Sequence, residues 1–307
     1  MNPRLPLDGK ATGLMLLLCG IWGLQQIALK AAGADMAPVL QLSIRSAVAV
    51  VLVSVYLRRR GLGLIPGGGA WKAGMLAGTL FSLEYLFVGE GMRFTNASHM
   101  VTMLYTAPIF AALGLHVWLP EERLRPVQWT GILCAFCGIA IAFYDRSPTA
   151  GFSGSMLWGD FLGLLGGMSW GATTVVIRTS KLSDTPAAQT VFCQLLAAAC
   201  ILFAVSVFTG QTRFTMTRIV WGSLIYQTLI VSFVSFLIWF WLLKVYLASH
   251  LGVLSFLTPV FGIIFGVLLL GETVEPQFIT GSVLVVTGIV FVSGWQMLEK
   301  IIRKGPA

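Results

Sequence analysis

The chain has 307 residues, of which 57% are hydrophobic and only 10% charged, with a mean hydropathy of +0.86. A water-facing domain carries about 25% charged residues, so a soluble enzyme, a disordered chain and a secreted disulfide scaffold are excluded, and an all-α polytopic integral membrane protein remains. The formal charge of +8 reads as loop cations that steer insertion, since no basic–aromatic pattern points to nucleic acid.

Crossing a hydrocarbon core of about 30 Å takes roughly 20 apolar residues in a helix. In chain order, such runs cover residues 11–32, 39–57, 71–89, 97–119, 127–144, 161–177, 187–208, 219–243, 250–270 and 278–297. Backbone in lipid must satisfy its own hydrogen bonds, so ten transmembrane helices are expected, joined by short connections. With the N-terminus inside, the inner ends and loops carry 14 Lys and Arg. The outer ones carry 5, namely Lys30, Arg93, Arg146, Arg213 and Arg218. Positive charge stays inside, so both termini are expected to be cytoplasmic. The first residues imitate a signal peptide, with Arg4, Lys10, an apolar stretch and the small run Ala31-Ala32-Gly33-Ala34. That stretch has a counterpart halfway along the chain, which a cleaved leader would not, and is read as the first helix. Cys19, Cys134, Cys137, Cys193 and Cys200 all fall in apolar runs and read as small core residues. Cys134-x-x-Cys137 lacks a second ligand pair, so no metal site is expected.

The chain repeats itself at a period near 150. Trp22-Gly23 returns as Trp170-Gly171, Ala97-Ser98-His99 as Ala248-Ser249-His250, Pro108 as Pro259 and Glu121 as Glu272. Pro126, Thr130-Gly131 and Gly138-Ile139 return as Pro276, Thr280-Gly281 and Gly288-Ile289. Two five-helix halves, residues 1–144 and 159–307, are then joined by a Ser-, Pro- and Gly-rich linker at 145–158. Five is odd, so the second half enters the membrane from the opposite side. Inverted repeats of this kind are characteristic of secondary transporters, which bind near the midplane between the halves.

The run Gly91-Met92-Arg93-Phe94-Thr95-Asn96-Ala97-Ser98, then Thr106-Ala107-Pro108-Ile109-Phe110, Pro120-Glu121-Glu122 and Pro126-Val127-Gln128-Trp129-Thr130-Gly131 resembles the drug/metabolite transporter superfamily. Within it, the chain is similar to the bacterial ten-helix transporters with two EamA-type domains. Leu257-Thr258-Pro259-Val260-Phe261 and Gly271-Glu272 repeat the signature in the second half, and Ser43-Ile44-Arg45-Ser46-Ala47 resembles the family's arginine-bearing second helix. The resemblance implies a multi-pass protein of the bacterial inner membrane that moves a small-molecule substrate without a cofactor, as monomer or homodimer. It leaves the substrate open, because members export amino acids, other metabolites and drugs. Glu84 departs from the neutral character of this position in many members.

Glu84 is the acid expected deepest in a span, about 9 Å inward from Glu90, and Arg45 lies about 10 Å inward from Pro38 at 1.5 Å per residue. A buried carboxylate in hydrocarbon must be paired, protonated or turned to a cavity. Two readings stand together: a fixed ion pair between the second and third helices, or a proton- or cation-coupling site at Glu84. Both make the loss of one partner costly; only the second changes the pH dependence.

Trp22 and Trp170 are symmetry mates away from the interfacial belts where Trp gathers. They read either as packing against glycine or as the lining of a central substrate site, with Tyr85, Tyr105, Tyr226 and Trp239 adding apolar walls. Gln25, Gln26, Gln194 and Gln227 are candidates for hydrogen bonds there. His99 and His250 read as caps or packing, with gating or proton sensing as the alternative; His116 reads as interfacial. Pro108 and Pro259 lie mid-helix, where a lost hydrogen bond should produce a kink, structural or serving as a hinge. Gly159, Gly163, Gly167 and Gly171 make a face for close helix packing. Glu121 and Glu272 read as loop and cap residues.

No Walker-type phosphate loop, His-Glu-x-x-His or Gly-x-Ser-x-Gly motif occurs. The expectation is therefore a secondary transporter exporting a small amphipathic metabolite such as an amino acid. A proton-coupled exporter of cationic drugs is the alternative. An intramembrane enzyme using Glu84 with His99 or His116 is the remote one, since an enzyme has no need of two-sided symmetry.

Overall fold

The computed structural model describes residues 8–120, 123–143, 154–246, 251 and 254–304. Among them the structure is helical, with one isolated bridge between Met36 and Phe214. In the first half, α1 is Gly9–Ala31, α2 Pro38–Arg59, α3 Ala70–Gly91, α4 Ala97–Leu104, α5 Ala107–Trp118 and α6 Pro126–Phe143. In the second, α7 is Gly154–Thr179, α8 Ala187–Phe208, α9 Arg218–Ile225 and α10 Phe236–Val245. A π-helix, Tyr226–Ser235, lies between those two; α11 is Leu257–Leu270 and α12 Pro276–Lys304.

Local chemistry sets these boundaries. Asp8 accepts from the Ala11 amide at 2.7 Å and starts α1, and the Thr217 hydroxyl does the same for α9 through Val220. Pro38 opens α2, where its missing N–H costs nothing. Gly69, at φ 84°, turns the chain into α3 in a conformation that disfavours any side chain.

Among the described residues, six helical stretches are long and apolar enough to cross a membrane: Gly9–Ala31, Pro38–Arg59, Ala97–Trp118, Gly154–Thr179, Ala187–Phe208 and Arg218–Ser235. Shorter apolar helices lie at Pro126–Ala142, Leu257–Leu270 and Pro276–Phe291. Ala70–Gly91 is long but carries Lys72, Glu84 and Glu90, and is not among them. Large apolar side chains such as Val51, Leu133, Leu268 and Phe208 point outward, as a lipid-facing surface requires.

Two sequence expectations need correction. Pro108 and Pro259 do not kink continuous helices. The span breaks earlier, at Tyr105–Thr106 and at Phe256, and each proline sits in the first turn of a new helix, α5 or α11. A proline ring clashes with the carbonyl four residues back and supplies no donor, so the break precedes it. The α7 helix starts at Gly154, within the segment expected as linker, and so takes in Asp160, which hydropathy had left just outside a span. The rest of that linker, together with Glu121 and His250, lies outside the described residues.

The halves interdigitate. The α1 helix packs on α11 while its counterpart α7 packs on α4 and α5; α3 packs on α7, and its counterpart, the α9–π–α10 helix, touches α1. Helices at equivalent places in the two halves also meet directly, as α2 with α8, α4 with α11 and α6 with α12. These last two pairs run antiparallel. Gly262 faces Val101 and Gly266 faces Ser98, while Gly138 abuts Gly281 and Gly288 abuts Gly131.

Glycine sets these crossings. A Cβ on Gly138 would lie 2.6 Å from the Gly281 carbonyl oxygen and 2.8 Å from the Val285 amide. Gly159, Gly163, Gly167 and Gly171 seat α7 on Thr95, Met103, Thr106 and Phe110 in turn, so α7 runs parallel to α4–α5. Gly167 lies over the carbonyls of Met103 and Leu104, the second of which loses its helical donor to Pro108. With little hydrophobic drive between helices in lipid, close backbone approach of this kind does the joining.

Replacing Gly138 or Gly281 with Val is expected to cost about 1–3 kcal/mol through overpacking, read as a lower unfolding temperature in detergent. Gly13→Ala, with nothing within 4 Å of its Cβ, is expected to leave stability unchanged or slightly raised.

Candidate functional site

Arg45 is 1% exposed and sits on α2 between the two third helices. From α3, the Tyr85 ring lies under its guanidinium, 4.7 Å from carbon to ring centroid. From the π-helix, Gln227 Oε1 accepts from Arg45 Nη1 at 3.2 Å. Gln227 Nε2 donates to Ser223 Oγ at 2.7 Å and to Gln41 Oε1 at 3.3 Å, and Ser223 donates to the Ala28 carbonyl at 2.8 Å. Arg45 is thereby tied through α9 to the end of α1. At the same place from the start of α8 stands the neutral Gln194, so the charge breaks the symmetry of the halves.

Glu84 is 7% exposed and one residue from Tyr85, within reach of the Arg45 charge. The fixed ion pair, one of the two readings of this couple, is not formed: Arg45 and Glu84 do not approach within 4.0 Å of each other. Glu84 Oε2 and Arg45 Nε are both buried without a hydrogen-bond partner, and so is Gln26 Oε1 on α1. Tyr85 covers one face of the guanidinium, while Gln227 takes an N–H at its edge, where a carboxylate would bind.

The aromatic candidates divide into two groups. Trp170 meets Tyr105 edge-to-face with centroids 5.3 Å apart, and packs with Tyr85 and Phe81 on the core that Leu104 and Val88 share. Trp22 meets Trp239 edge-to-face at 5.6 Å, in the cluster of α1, α10 and α11. The structure therefore does not stack the two symmetry-related tryptophans together; each finds an aromatic partner in a span next to its own. Trp22 Nε1 donates to Ser235 Oγ at 3.1 Å, and Tyr226 Oη donates to the Ile21 carbonyl at 2.7 Å. Gln25 and Gln194 are half-buried.

Sequence reasoning missed the π-helix. Over Tyr226–Ser235 the wider turn brings Gln227, Val231 and Ser235 to the buried side, and Ser232 Oγ reaches back five residues to the Gln227 carbonyl at 2.9 Å. π-segments concentrate at functional sites, and this one presents Gln227 to Arg45 and Ser235 to Trp22. Its Ser, Thr and Gln residues inside an apolar run were the available signal.

A second polar group, also unforeseen, lies where α3 ends and α4 begins. His99 is fully buried, with Nδ1 2.9 Å from Asp160 Oδ2 and Nε2 3.2 Å from Glu275 Oε2, and its ring packs flat on Phe278. Glu272 does cap, but across the halves. It accepts from the amides of Ala97 and Ser98 at 2.6 and 3.0 Å. At the opposite end of the bundle Asp8 accepts from the Ala11 amide and from Tyr246 Oη at 2.7 and 2.9 Å. These bonds, the amide first, hold its carboxyl below the usual carboxylate range. His116 Nδ1 accepts from the Leu124 amide at 2.9 Å, pinning the connection after α5.

The profile of the EamA-like transporter family matches residues 10–144 and 157–294. The chain belongs to the EamA-like transporter family. It is 24% identical to the uncharacterized transporter YoaV of Bacillus subtilis over 273 residues, covering 88% of this chain and 91% of the relative. It is 25% identical over 303 residues to a probable amino-acid metabolite efflux pump of Escherichia coli, covering 94% and 97%. A pump of the same description in Salmonella typhimurium is 24% identical over 290 residues, covering 90% and 92%. A protein of known crystal structure, 19% identical, covers 95% of this chain and is itself covered completely, with a TM-score of 0.66; at that identity it shares the fold. The chain is thus a membrane transporter and not an enzyme, and the two matched segments are its repeated halves.

In this transporter Glu84→Gln is expected to fold with unchanged stability, because no direct ion pair is broken. Arg45→Gln loses the Tyr85 stack and reshapes the Gln227 network, and is expected to cost about 1–3 kcal/mol. Thermal unfolding of the two purified variants against wild type tests the contrast.

Proposed function

We propose that the protein is a secondary transporter of ten spans, arranged as two inverted five-helix repeats with cytoplasmic termini, in a bacterial inner membrane. It exports a small amphipathic metabolite, an amino acid or a compound like it, by alternating access between the halves. The observation that carries the reading is the unpaired couple at its centre. A guanidinium and a carboxyl group are buried within reach of each other, yet each keeps a polar atom without a partner. Buried ionisable groups in membrane proteins mark substrate and ion pathways. A zwitterion suits this couple: its carboxylate answers Arg45, its ammonium Glu84, and its side chain lies against Tyr85, Tyr105 and Trp170.

The antiparallel contacts of α4 with α11 and of α6 with α12 support the inverted arrangement. The names of two relatives, probable amino-acid metabolite efflux pumps, support the substrate class. Trp22, Trp239, Tyr226 and Gln25 flank the opposite side of α1 and serve as the second wall of the pathway. The breaks before Pro108 and Pro259 are its hinges, since each divides a span at equivalent places in the two halves.

Proteoliposomes loaded with labelled amino acids and lipophilic cations test this, with efflux followed with and without a pH gradient. Efflux of zwitterions is expected, with Arg45→Gln abolishing recognition of the carboxylate. Gradient stimulation that disappears in Glu84→Gln makes Glu84 the coupling residue, whereas stimulation that survives moves the coupling elsewhere. Efflux of cations alone, lost in Glu84→Gln, selects the proton-coupled drug exporter instead. Retention of every compound in the panel sinks the reading.

A further inference from the structure

Five cations that the transport reading leaves unused gather at one corner of the bundle. Arg58 and Arg59 end α2, Arg60 follows them, Lys72 stands in the first turn of α3, and Lys181 opens the short turn Lys181–Asp184 after α7. All five are exposed. The fold brings the three stretches together. Lys181 Nζ donates to the Gly68 carbonyl at 3.3 Å, and Gln189 of α8 donates to the Gly63 carbonyl at 2.7 Å. Residues 56–76 contain no acid, and residues 177–190 contain Asp184 alone. Among the described residues, none of the five cations forms an ion pair. The charge is local: Arg123 and Arg125, before α6, are matched by Glu121 and Glu122. The connection between α8 and α9, the equivalent in the second half, has Arg213 and Arg218 where this corner has Arg58, Arg59, Arg60 and Lys72.

We propose that this corner is a binding surface for the headgroups of anionic phospholipids. Steering insertion needs only a count of positive charge on one side; it does not need apolar side chains set among the cations. Here Leu62, Ile65 and Trp71 are exposed between Arg60 and Lys72 or beside them. From Pro38 to Arg58 the α2 helix rises about 30 Å at 1.5 Å per residue, the thickness of a hydrocarbon core. Arg58, Arg59 and Arg60 therefore reach headgroup level, and the outward-facing Val51 and Val55 of α2 and Met75 and Leu76 of α3 lie deeper, where acyl chains run. The guanidinium groups match a phosphodiester in charge and in paired donor geometry. Lys72 and Lys181 add point charge, and Trp71 takes the interfacial place that its ring favours. Clusters of four to eight cations beside a span attract anionic lipid in this way. A soluble anion would answer the charge and leave the apolar rim unused. A bound headgroup joins the end of α2 to the start of α3 and so steadies the helices that carry Arg45, Glu84 and Tyr85. The proposed orientation places the surface in the cytoplasmic leaflet, though binding itself does not depend on it.

The full-length protein, purified in an uncharged detergent and stripped of lipid, is titrated with dioleoylphosphatidylglycerol or dioleoylphosphatidylcholine, and bound lipid is read by native mass spectrometry. Phosphatidylglycerol is expected to bind in preference, and less tightly as salt rises. Lys72→Gln with Lys181→Gln keeps the arginines that guide insertion and is expected to weaken that binding by about fivefold for each cation removed. Arg58→Gln, Arg59→Gln and Arg60→Gln together are expected to weaken it further. The control removes the same number of charges at the end of α12, as Lys300→Gln, Arg303→Gln and Lys304→Gln, and is expected to leave the preference intact. Equal loss in the two triple variants makes the attraction one of net charge and overturns the proposal; equal binding of the two lipids does so as well. Undiminished binding in the double variant, which reads out even where the triple variant does not fold, also overturns it. Glycerophosphoglycerol, the same headgroup without chains, is expected not to compete; displacement by it assigns the surface to soluble phosphate esters instead. Lipid binding in detergent is read without transport, so neither result depends on what the protein exports.

Discussion

A guanidinium that is 1% exposed inside a bundle faced by lipid has to be met by groups the protein itself supplies. Arg45 is met from two directions, by the Tyr85 ring on α3 and by Gln227 on the π-helix. Those elements are the third helices of the two halves. The charge on α2 therefore holds together the parts that must move relative to each other if the halves exchange positions. Glu84 stands one residue from Tyr85 without closing the ion pair, and the Nε of Arg45 remains without a partner. A closed pair would have satisfied both groups and left nothing for a ligand to answer.

Around that centre the bundle is joined by glycine. Gly138 against Gly281 and Gly131 against Gly288 let α6 and α12 meet backbone to backbone, and the four-residue glycine rhythm of α7 seats it along α4 and α5. The same surfaces carry the breaks. The Leu104 carbonyl freed by Pro108 is covered by Gly167, where no side chain intervenes, so a discontinuity in one span is paid for by the smoothness of its neighbour. The two ends of the bundle are also fastened differently among the described residues. Asp8 and Tyr246 join α1 to the end of α10 by one bond, whereas the α3–α4 turn is held by Asp160, Glu272 and Glu275 together.

Much of this was legible in the linear chain. The spacing of Trp22 and Trp170, Pro108 and Pro259, and Gly131 and Gly281 marked the repeat before any contact was known. Arg45 and Glu84 stood out because ionisable residues are rare in apolar runs. Asp160 did not, because hydropathy placed it at the edge of a span; only the early start of α7 carries it inside. The π-helix left no periodic mark, since ten residues with Ser, Thr and Gln among apolar neighbours fit an ordinary helix equally well. His99 looked like a helix cap because its partners, Asp160 and Glu275, lie 61 and 176 positions further along the sequence.

Composition, apolar run length and internal repetition determine by themselves that this chain is a helical membrane protein built of two related halves. Those properties follow from the cost of exposing backbone and charge to hydrocarbon, which acts on every residue locally. Which buried charge meets which partner was decided only by the tertiary structure. Arg45 and Glu84 share a depth and opposite signs, and sequence logic pairs them. The packing of α2 between α3 and the π-helix instead gives the guanidinium a ring and an amide. Such choices depend on side-chain direction at helix crossings that glycine positions to within an ångström, and no one-dimensional pattern encodes that direction.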